Sequence, residues 1–152
     1  VDTMRKVIKD VERSRHNISK NLPQRELEEN ERYLSNAICA NACEISDTVK
    51  AKAIITATYS GYNTIKTSSY RPAAYIYAFT NNHTILNTLS LVWGVKGFHY
   101  SGGRTTDQTV LQTKEILKKR KYVRKGDLVI NIASMPAQEK GMTNMMKLSK
   151  VK

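Results

Sequence analysis

The first part of the chain has apolar residues at helical spacing, followed by a polar stretch. Over residues 2–15 apolar side chains recur three and four positions apart, and Asp2 can cap the start of a helix. These apolar positions are Met4, Val7, Ile8 and Val11. A single apolar stripe with no partner segment after it is typical of a helix that belongs to a larger body. Polar residues around Pro23 then predict a linker over 18–24, which leaves 25–152 as the main domain.

The main domain alternates between helical and strand-like patterns. A long helix is predicted over about 25–49, where Leu34, Ile38 and Val49 keep one face apolar. The period then changes, and short apolar runs alternate with helical segments. The predicted strands are 53–57, 75–79, 95–100, 128–133 and 145–151. The helices between the first four strands are predicted at 63–69, 84–92 and about 105–117, the last opened by a capping box of Thr105 and Gln108.

This order of elements predicts the fold. Strict alternation of strand and helix indicates a mostly parallel sheet that is covered on both faces. The last strand follows a loop rather than a crossover helix, so we expect it to run antiparallel at an edge. The predicted fold is therefore α/β, a three-layer sandwich of about five strands with helices on both faces of the sheet.

Charge narrows the partners that the domain can attract. The 152 residues include 25 Lys and Arg against 13 Asp and Glu, a net charge of +12. Residues 1–32 contribute +1, so the rest of the chain carries +11. Such a surface attracts anions, which include phosphorylated metabolites, nucleotides, nucleic acid and acidic proteins. No apolar run approaches the ~18 residues of a membrane span, and no secretory signal opens the chain, so we expect a cytoplasmic protein without a membrane partner.

The loop after the first predicted strand is the strongest candidate for a binding site. In sheets of this type, ligands lie outside the carboxyl ends of the strands. The loop offers hydroxyl groups, a glycine and the start of a helix whose free N–H groups favour an anion, so we expect a phosphate group here. Its residues are Thr58, Tyr59, Ser60, Gly61, Asn63 and Thr64. The alternative is that Thr58, Ser60 and Asn63 serve as helix caps alone.

A second candidate loop lies over 134–144 and contains Lys140 and Gly141. It also leaves the carboxyl end of a predicted strand, so it could close over a ligand bound by the first loop. The alternative is a plain connection to the edge strand.

Other candidate chemistry has less support. The basic run 118–121, with Arg124 and Lys125, is typical of a solvated helix end, and no nucleic-acid-binding motif accompanies it. Cys39 and Cys43 lack nearby further ligands, so we expect two buried, reduced thiols rather than a metal site. No catalytic group of residues is evident, and we expect no catalytic residue, metal or cofactor within this chain.

Several motifs, in order along nearly the whole chain, resemble those of pyruvate kinases. Residues 1–17, with Val1-Asp2-Thr3-Met4 and Val11-Glu12-Arg13-Ser14, are similar to the final helix of that family's catalytic (β/α)8 barrel. The later motifs are Ala51-Lys52-Ala53-Ile54-Ile55, Thr58 with Ser60-Gly61, Ser69-Tyr70-Arg71-Pro72, Leu91-Val92-Trp93-Gly94-Val95, Lys125-Gly126-Asp127-Leu128-Val129 and Gly141-Met142-Thr143-Asn144. On these motifs, residues 25–152 are identified as a member of the family's C-terminal regulatory and assembly domain.

The resemblance implies a place in glycolysis. The family converts phosphoenolpyruvate and ADP into pyruvate and ATP, with magnesium and usually potassium. Its catalytic residues lie in the barrel and a lid domain, so this stretch is implied to be inactive alone and to have those domains as partners. The C-terminal domain helps to build a homotetramer. In many members it also binds a sugar-phosphate effector on the loop that matches Thr58 to Thr64, with further contacts from the loop before Gly141.

The sequence departs from the effector-activated pattern in two loops. Tyr59 and Asn63 stand where members that bind fructose 1,6-bisphosphate carry Lys and Ser, and 134–140 lacks the Trp and Arg of animal forms. Each lost cation removes a charge-assisted bond of about 1.5–3 kcal/mol. The effector therefore stays open between another sugar phosphate, a smaller phosphate ligand and none. The alternatives for the chain itself are a stand-alone α/β phosphate-ligand-binding domain and, less favoured, a basic nucleic-acid-binding module.

Overall fold

The structure is a computed structural model that describes residues 1–13, 32–136 and 142–152. The helices in these ranges are α1 (Asp2–Arg13), α2 (Tyr33–Thr48), α3 (Tyr62–Ser69), α4 (His83–Leu89) and α5 (Thr106–Lys119). The strands are β1 (Ala53–Ala57), β2 (Tyr75–Thr80), β3 (Val95–His99), β4 (Leu128–Ala133) and β5 (Met145–Lys150). Each of these helices is too short or too polar to span a membrane. The predicted linker 18–24 and the first part of the predicted helix 25–49 lie outside the described residues.

The five strands form one sheet in the order β3-β2-β1-β4-β5. Strands β1 to β4 run parallel, and β5 pairs antiparallel with β4. In the centre of the sheet, Ile55 of β1 stands opposite Tyr77 of β2 and Asn131 of β4. The prediction of a mostly parallel sheet with an antiparallel edge strand is therefore confirmed.

Helices cover both faces of the sheet because the inner strands are apolar on both sides. On one face, Leu117 of α5 lies in a buried cluster with Ile55 and Phe79. On the other face, Cys43 of α2 lies in a second cluster with Ile54. Successive side chains of a strand point to opposite faces, so a continuous apolar run supplies both clusters. Full burial of one such isoleucine contributes about 1.5–3 kcal/mol. The predicted three-layer α/β sandwich is confirmed.

The direction in which the chain crosses the sheet decides which face each helix covers. The chain moves from β1 outward to β2 and then to β3, and it returns past β2 and β1 to form β4. Right-handed connections place α3 and α4 on one face and α5 on the other. The strand order thus reverses between β1 and β4, and the N-termini of α3 and α5 meet the carboxyl ends of the strands there.

Helix α4 is shorter than its apolar pattern indicates. The predicted helix 84–92 is wrong at its end, because α4 stops at Leu89. The N–H groups of Leu91 and Val92 donate to carbonyls three residues back, at 3.2 and 3.1 Å. These bonds form turns rather than a helix, and Gly94, with φ 68°, then redirects the chain into β3.

Candidate functional site

A cleft of about 430 Å³ opens at the carboxyl edge of the sheet, and we call it the carboxyl-edge cleft. Its lining comes from the ends of β1, β2 and β4, the loop after β3 and the starts of α3 and α5. The lining residues are Ala57, Thr58, Tyr59, Ser60, Tyr62, Asn63, Phe79, Thr80, Asn81, Tyr100, Ser101, Gly102, Gly103, Thr106, Thr109, Ala133, Ser134 and Thr143. Of the predicted loop residues, Thr58, Tyr59, Ser60 and Asn63 come together in this lining, and Gly61 and Thr64 lie outside it.

Two hydrogen bonds hold the loop after β1, one within the loop and one to β2. The Gly61 N–H donates to Thr58 Oγ1 at 2.9 Å, and the Thr58 N–H donates to the Phe79 carbonyl at 3.0 Å. Gly61 has φ 83°, a left-handed conformation that favours glycine, and a Cβ there would lie 3.1 Å from Ile85 Cγ2. The turn therefore requires glycine, and it presents Ser60 beside the first N–H groups of α3.

Asn63 and Thr64 are buried because the first turn of α3 lies against β1. Thr64 Oγ1 lies 2.7 Å from Thr56 Oγ1, which is also buried. The Asn63 side-chain amide donates to the Ala57 carbonyl at 3.2 Å and to Thr143 Oγ1 at 3.1 Å. These bonds satisfy buried polar groups and connect the loop after β1 to the segment before β5. Asn63 thus borders the cleft with its amide engaged, and Thr64 supports the loop from beneath.

The N-terminus of α5 forms the opposite wall of the cleft. Thr105 Oγ1 accepts the Gln108 N–H at 3.2 Å, and Gln108 Oε1 accepts the Arg104 N–H at 3.0 Å. The predicted capping box is confirmed, although its return bond reaches the residue before the cap rather than the cap itself. Thr106 Oγ1 donates to the Ser134 carbonyl at 3.2 Å, which joins this wall to the end of β4.

Sequence reasoning missed this second wall as part of the site. Residues 100–103 and Thr106 line the cleft, but only the loops after the first and fourth strands were predicted to do so. The sequence does contain a signal for this wall. Gly102-Gly103 follows a predicted parallel strand and precedes a capped helix start, which is where ligand-binding loops of such sheets lie. A Cβ on Gly103 would lie 3.0 Å from the Thr109 backbone nitrogen, so glycine allows the loop to pack directly on α5.

The cleft presents backbone N–H groups rather than charged side chains to an anion. Among the described residues, its lining contains no Lys, Arg, Asp or Glu. The N-termini of α3 and α5 carry partial positive charge, worth about 0.3–1 kcal/mol each toward an exposed anion. Asp107 in the first turn of α5 is offset by Lys147, whose Nζ lies 3.1 Å from its Oδ1. Lys140 and Gly141, the predicted residues of the second loop, lie outside the described ranges.

The two cysteines join α2 to α3 beneath the cleft. Cys39 Sγ donates to the Asn63 carbonyl at 3.6 Å, and Cys43 Sγ donates to the Thr67 carbonyl at 3.7 Å. Burial raises the pKa of Cys39 to about 11, and it raises the pKa of Cys43 as well. The predicted burial of both thiols is confirmed. In the described part of the chain, no group of His, Cys, Asp and Glu side chains is placed to hold a metal ion.

Comparison with known protein families identifies the domain. Residues 36–149 match the model of the pyruvate kinase alpha/beta domain. This match spans the sheet up to residue 149, one residue before the end of β5, and it includes every described residue that lines the carboxyl-edge cleft. The chain belongs to the pyruvate kinase family. The family resemblance that its motifs predicted is therefore confirmed.

Individual pyruvate kinases show how far the likeness extends. That of Clostridium acetobutylicum is 32% identical over 151 residues, which cover 99% of this chain and 32% of that protein. That of Lactobacillus delbrueckii subsp. bulgaricus is 36% identical over 115 residues, 76% of this chain and 20% of that protein. A crystal structure of a pyruvate kinase from Cryptosporidium parvum matches with a TM-score of 0.70 and 25% identity, over 78% of this chain and 23% of that one. This pyruvate kinase domain thus spans a third or less of the length of these relatives.

Proposed function

We propose that this chain is the C-terminal domain of a complete pyruvate kinase, which transfers a phosphoryl group from phosphoenolpyruvate to ADP in glycolysis. The observation that carries the proposal is the family match over residues 36–149. The 32% identity over nearly the whole chain with the C. acetobutylicum protein supports it. The catalytic residues, magnesium and potassium belong to the barrel and lid domains of the complete enzyme, so this chain alone is expected to form no pyruvate.

We also propose that the domain takes part in assembly of a homo-oligomer, a tetramer in the complete enzyme. Strand β5 is the last in the sheet order, and Leu148 on it is 45% exposed. In this chain, without the barrel to which α1 is assigned, Met4, Val7 and Ile8 of α1 are each more than half exposed. Open strand edges and contiguous apolar surface both favour association with another chain.

The carboxyl-edge cleft is proposed to bind the phosphate group of a metabolite effector. Ser60 is exposed at the tip of the loop after β1, beside the start of α3, and the start of α5 lines the same cleft. Two helix N-termini and a hydroxyl suit one phosphate group. Tyr59 and Asn63 supply no positive charge, which favours a sugar monophosphate over a bisphosphate.

A thermal-shift screen tests the effector proposal. The probes are inorganic phosphate, fructose 1,6-bisphosphate, glucose 6-phosphate, ribose 5-phosphate and AMP. A ligand that binds the folded state alone adds about 2.7 kcal/mol at a hundredfold excess over its dissociation constant. One sugar phosphate is expected to raise the Tm by several degrees. If none of them does, the effector proposal fails and the assembly role remains.

Matched variants show whether such a rise comes from this loop. Ser60→Ala removes the hydroxyl at the loop tip, so it is expected to abolish most of the rise. Ser69→Ala is the control, because Ser69 is also exposed and lies at the other end of α3, where its Oγ donates to the Lys66 carbonyl at 2.7 Å. Equal effects of the two substitutions would place the ligand elsewhere.

A further inference from the structure

A second cleft, larger than the first, lies at the amino edge of the sheet, and we call it the amino-edge cleft. Its volume is about 750 Å³, within the usual range for small-molecule sites. Ile76 and Val95, near the starts of β2 and β3, line it together with residues that follow the end of α5. It shares no lining residue with the carboxyl-edge cleft, so the two clefts are separate candidate sites.

Stacked tyrosines form one wall of the amino-edge cleft. Tyr75 is 61% exposed, and its ring centroid lies 6.3 Å from that of Tyr77, with an angle of 25° between the ring planes. Tyr77 is buried, and its ring lies 5.2 Å from that of Tyr122. The two rings lie on the same face of β2, because Tyr75 and Tyr77 are two residues apart in the strand. Tyr75 therefore contributes exposed aromatic surface to the cleft, and planar rings stack favourably on such surface.

Positive charge surrounds this aromatic wall. The lining contains four cations, Lys52, Lys96, Lys121 and Arg124, against one carboxylate, Asp127. Asp127 is engaged locally, because its Oδ2 accepts the Arg124 backbone N–H at 2.7 Å. Lys96 lies over the Tyr122 ring, with its Nζ 4.7 Å from the ring centroid. Among the residues that the structure describes, Lys52, Lys121 and Arg124 form no ion pair. The lining of the cleft therefore carries a net positive charge.

Lys121 occupies a backbone position where glycine is usual. It follows the end of α5 with φ 61°, and its N–H donates to the Lys118 carbonyl at 3.0 Å. The Tyr122 N–H donates to the Leu117 carbonyl at 2.9 Å, which completes the two-bond helix ending that favours glycine in this left-handed position. The sequence places a lysine there in spite of the unfavourable conformation, and this lysine lines the cleft. Lys50 has the same conformation after α2, with φ 52°, but it does not line the cleft.

We propose that the amino-edge cleft binds a nucleotide, with the base against Tyr75 and the phosphates among Lys52, Lys121 and Arg124. A phosphate ion would use the cations alone, and an uncharged aromatic compound would use the tyrosine alone. A nucleotide carries both groups on one small molecule, and the cleft has room for it. This site is separate from the proposed effector cleft and does not depend on it.

Calorimetric titration of the 152-residue chain with ATP in magnesium-free buffer tests the site. Inorganic tripolyphosphate and adenosine serve as partial probes, because each carries one half of the recognition chemistry. Saturable binding of ATP, tighter than that of either partial probe, is expected. If tripolyphosphate binds as tightly as ATP, the cleft recognises polyanions in general rather than nucleotides, and this result would overturn the proposal. So would the absence of ATP binding at millimolar concentration.

Substitution of Tyr75 tests the aromatic contact. Tyr75→Ala is expected to weaken ATP binding by roughly 5- to 150-fold and to leave tripolyphosphate binding unchanged, because base stacking is lost and the cations stay. Tyr33→Ala is the control, since Tyr33 is a half-exposed tyrosine outside the cleft. If Tyr75→Ala and Tyr33→Ala bind ATP equally well, the base does not stack on Tyr75 and the assignment is wrong.

Two lysine variants test the charge without disturbing the fold. Lys121→Gly is expected to weaken both ATP and tripolyphosphate binding by about two- to fivefold, as an exposed ion pair would. Lys50→Gly removes one cation from an equivalent left-handed position outside the cleft, so it should leave binding unchanged. Glycine suits both positions, and both variants should stay folded. Equal effects of the two would mean that net charge alone attracts the ligand.

Two further measurements separate this site from other interpretations. Ser60→Ala, in the carboxyl-edge cleft, should retain full ATP binding, and its loss would move the nucleotide to that cleft. An oligothymidylate of about ten nucleotides, a typical length for a single-strand groove, tests nucleic-acid binding. Tight binding of the oligonucleotide without binding of ATP would overturn the nucleotide proposal.

Discussion

The polar residues of the loop after β1 differ in how deeply they are buried. Thr64 was predicted to contact phosphate, yet its hydroxyl is buried and lies 2.7 Å from that of Thr56. Ser60, two residues before the start of α3, is exposed at the tip of the same loop. Helix caps and anion ligands use the same residue types, so the sequence alone could not separate the exposed residues of the loop from the buried ones that support it.

The buried thiol of Cys39 makes stability depend on alkaline pH. Burial raises its pKa from 9.0 to about 11, so the folded state holds the proton more tightly than the unfolded chain does. The contribution of Cys39 is therefore complete below about pH 9 and is lost as the pH rises toward 11. A shift of about two pH units corresponds to about 2–3 kcal/mol. Cys39→Ala should accordingly show a smaller fall in the free energy of unfolding between about pH 8 and pH 11.

Urea denaturation in a reducing buffer measures this difference at each pH. The variant and the parent chain share every other titrating group, including Cys43 and the buried Tyr77, so those groups act as an internal control. The difference between the two pH profiles therefore reports the ionisation of Cys39 and its effect on the neighbouring thiol. Parallel profiles for the two proteins would show that ionisation of Cys39 does not affect folding.

Helix α4 and strand β3 pack more closely than their apolar patterns indicate. A Cβ on Gly97 would lie 2.5 Å from Leu86 Cδ1, closer than real contacts allow. The glycine interrupts β3 and looks unfavourable in sequence, where strands prefer side chains that pack. In the structure it is the place where a leucine of α4 rests on the backbone of the strand. This contact links two elements next to the loop that forms the second wall of the carboxyl-edge cleft.

The Gly97–Leu86 contact predicts coupling between two substitutions. Gly97→Ala is expected to lower the free energy of unfolding by about 1–3 kcal/mol, because Leu86 must move out of a packed position. In a Leu86→Ala background the same change should cost less, since the added methyl group fills the space that the leucine leaves. A double-mutant cycle by urea denaturation measures the difference. Additive effects of the two substitutions would show that they do not share this contact.

Most of the helices and strands could be predicted from the sequence, but the loops that meet at one edge of the sheet could not. The strands at 53–57 and 128–133 have the predicted bounds, because continuous apolar runs mark strands that are buried on both faces. The end of α4 was misplaced, since Leu91 and Val92 continue its pattern although they form turns. The second wall of the cleft was missed because it depends on which loops the strand order brings together, and periodicity carries no information on that order.

At the scale of the whole molecule, the shared direction of the parallel strands gives the two edges of the sheet clefts of different charge. Helix N-termini meet at the carboxyl edge, where the described lining has no charged side chain. Helix C-termini meet at the amino edge, where Lys50, Arg71 and Lys121 follow three helix ends in left-handed conformations. Cations at helix C-termini offset the negative end of the helix dipole. A strongly basic chain can thus have an uncharged cleft at one edge and a cationic cleft at the other.

Helix α1 gives the whole chain an apolar surface that should cause self-association. Met4 is 71% exposed, Val7 58% and Ile8 54%, all on one stripe of the helix. Pairing of two such stripes would remove apolar area from water at about 25 cal/mol per Å². Sedimentation equilibrium is therefore expected to show dimers or larger species whose population grows with concentration. Ile8→Glu should shift the equilibrium to the monomer, because it places a charge in the middle of the stripe.

The neighbouring residue provides the control for this experiment. Lys9→Glu changes the charge of the same helix by a larger amount, but Lys9 lies outside the apolar stripe, so this variant should associate like the parent chain. If both variants become monomeric, general charge rather than the apolar stripe governs association. A parent chain that stays monomeric at high concentration would mean that α1 pairs with no second copy, and the assembly proposal would then depend on the edge strand β5 alone.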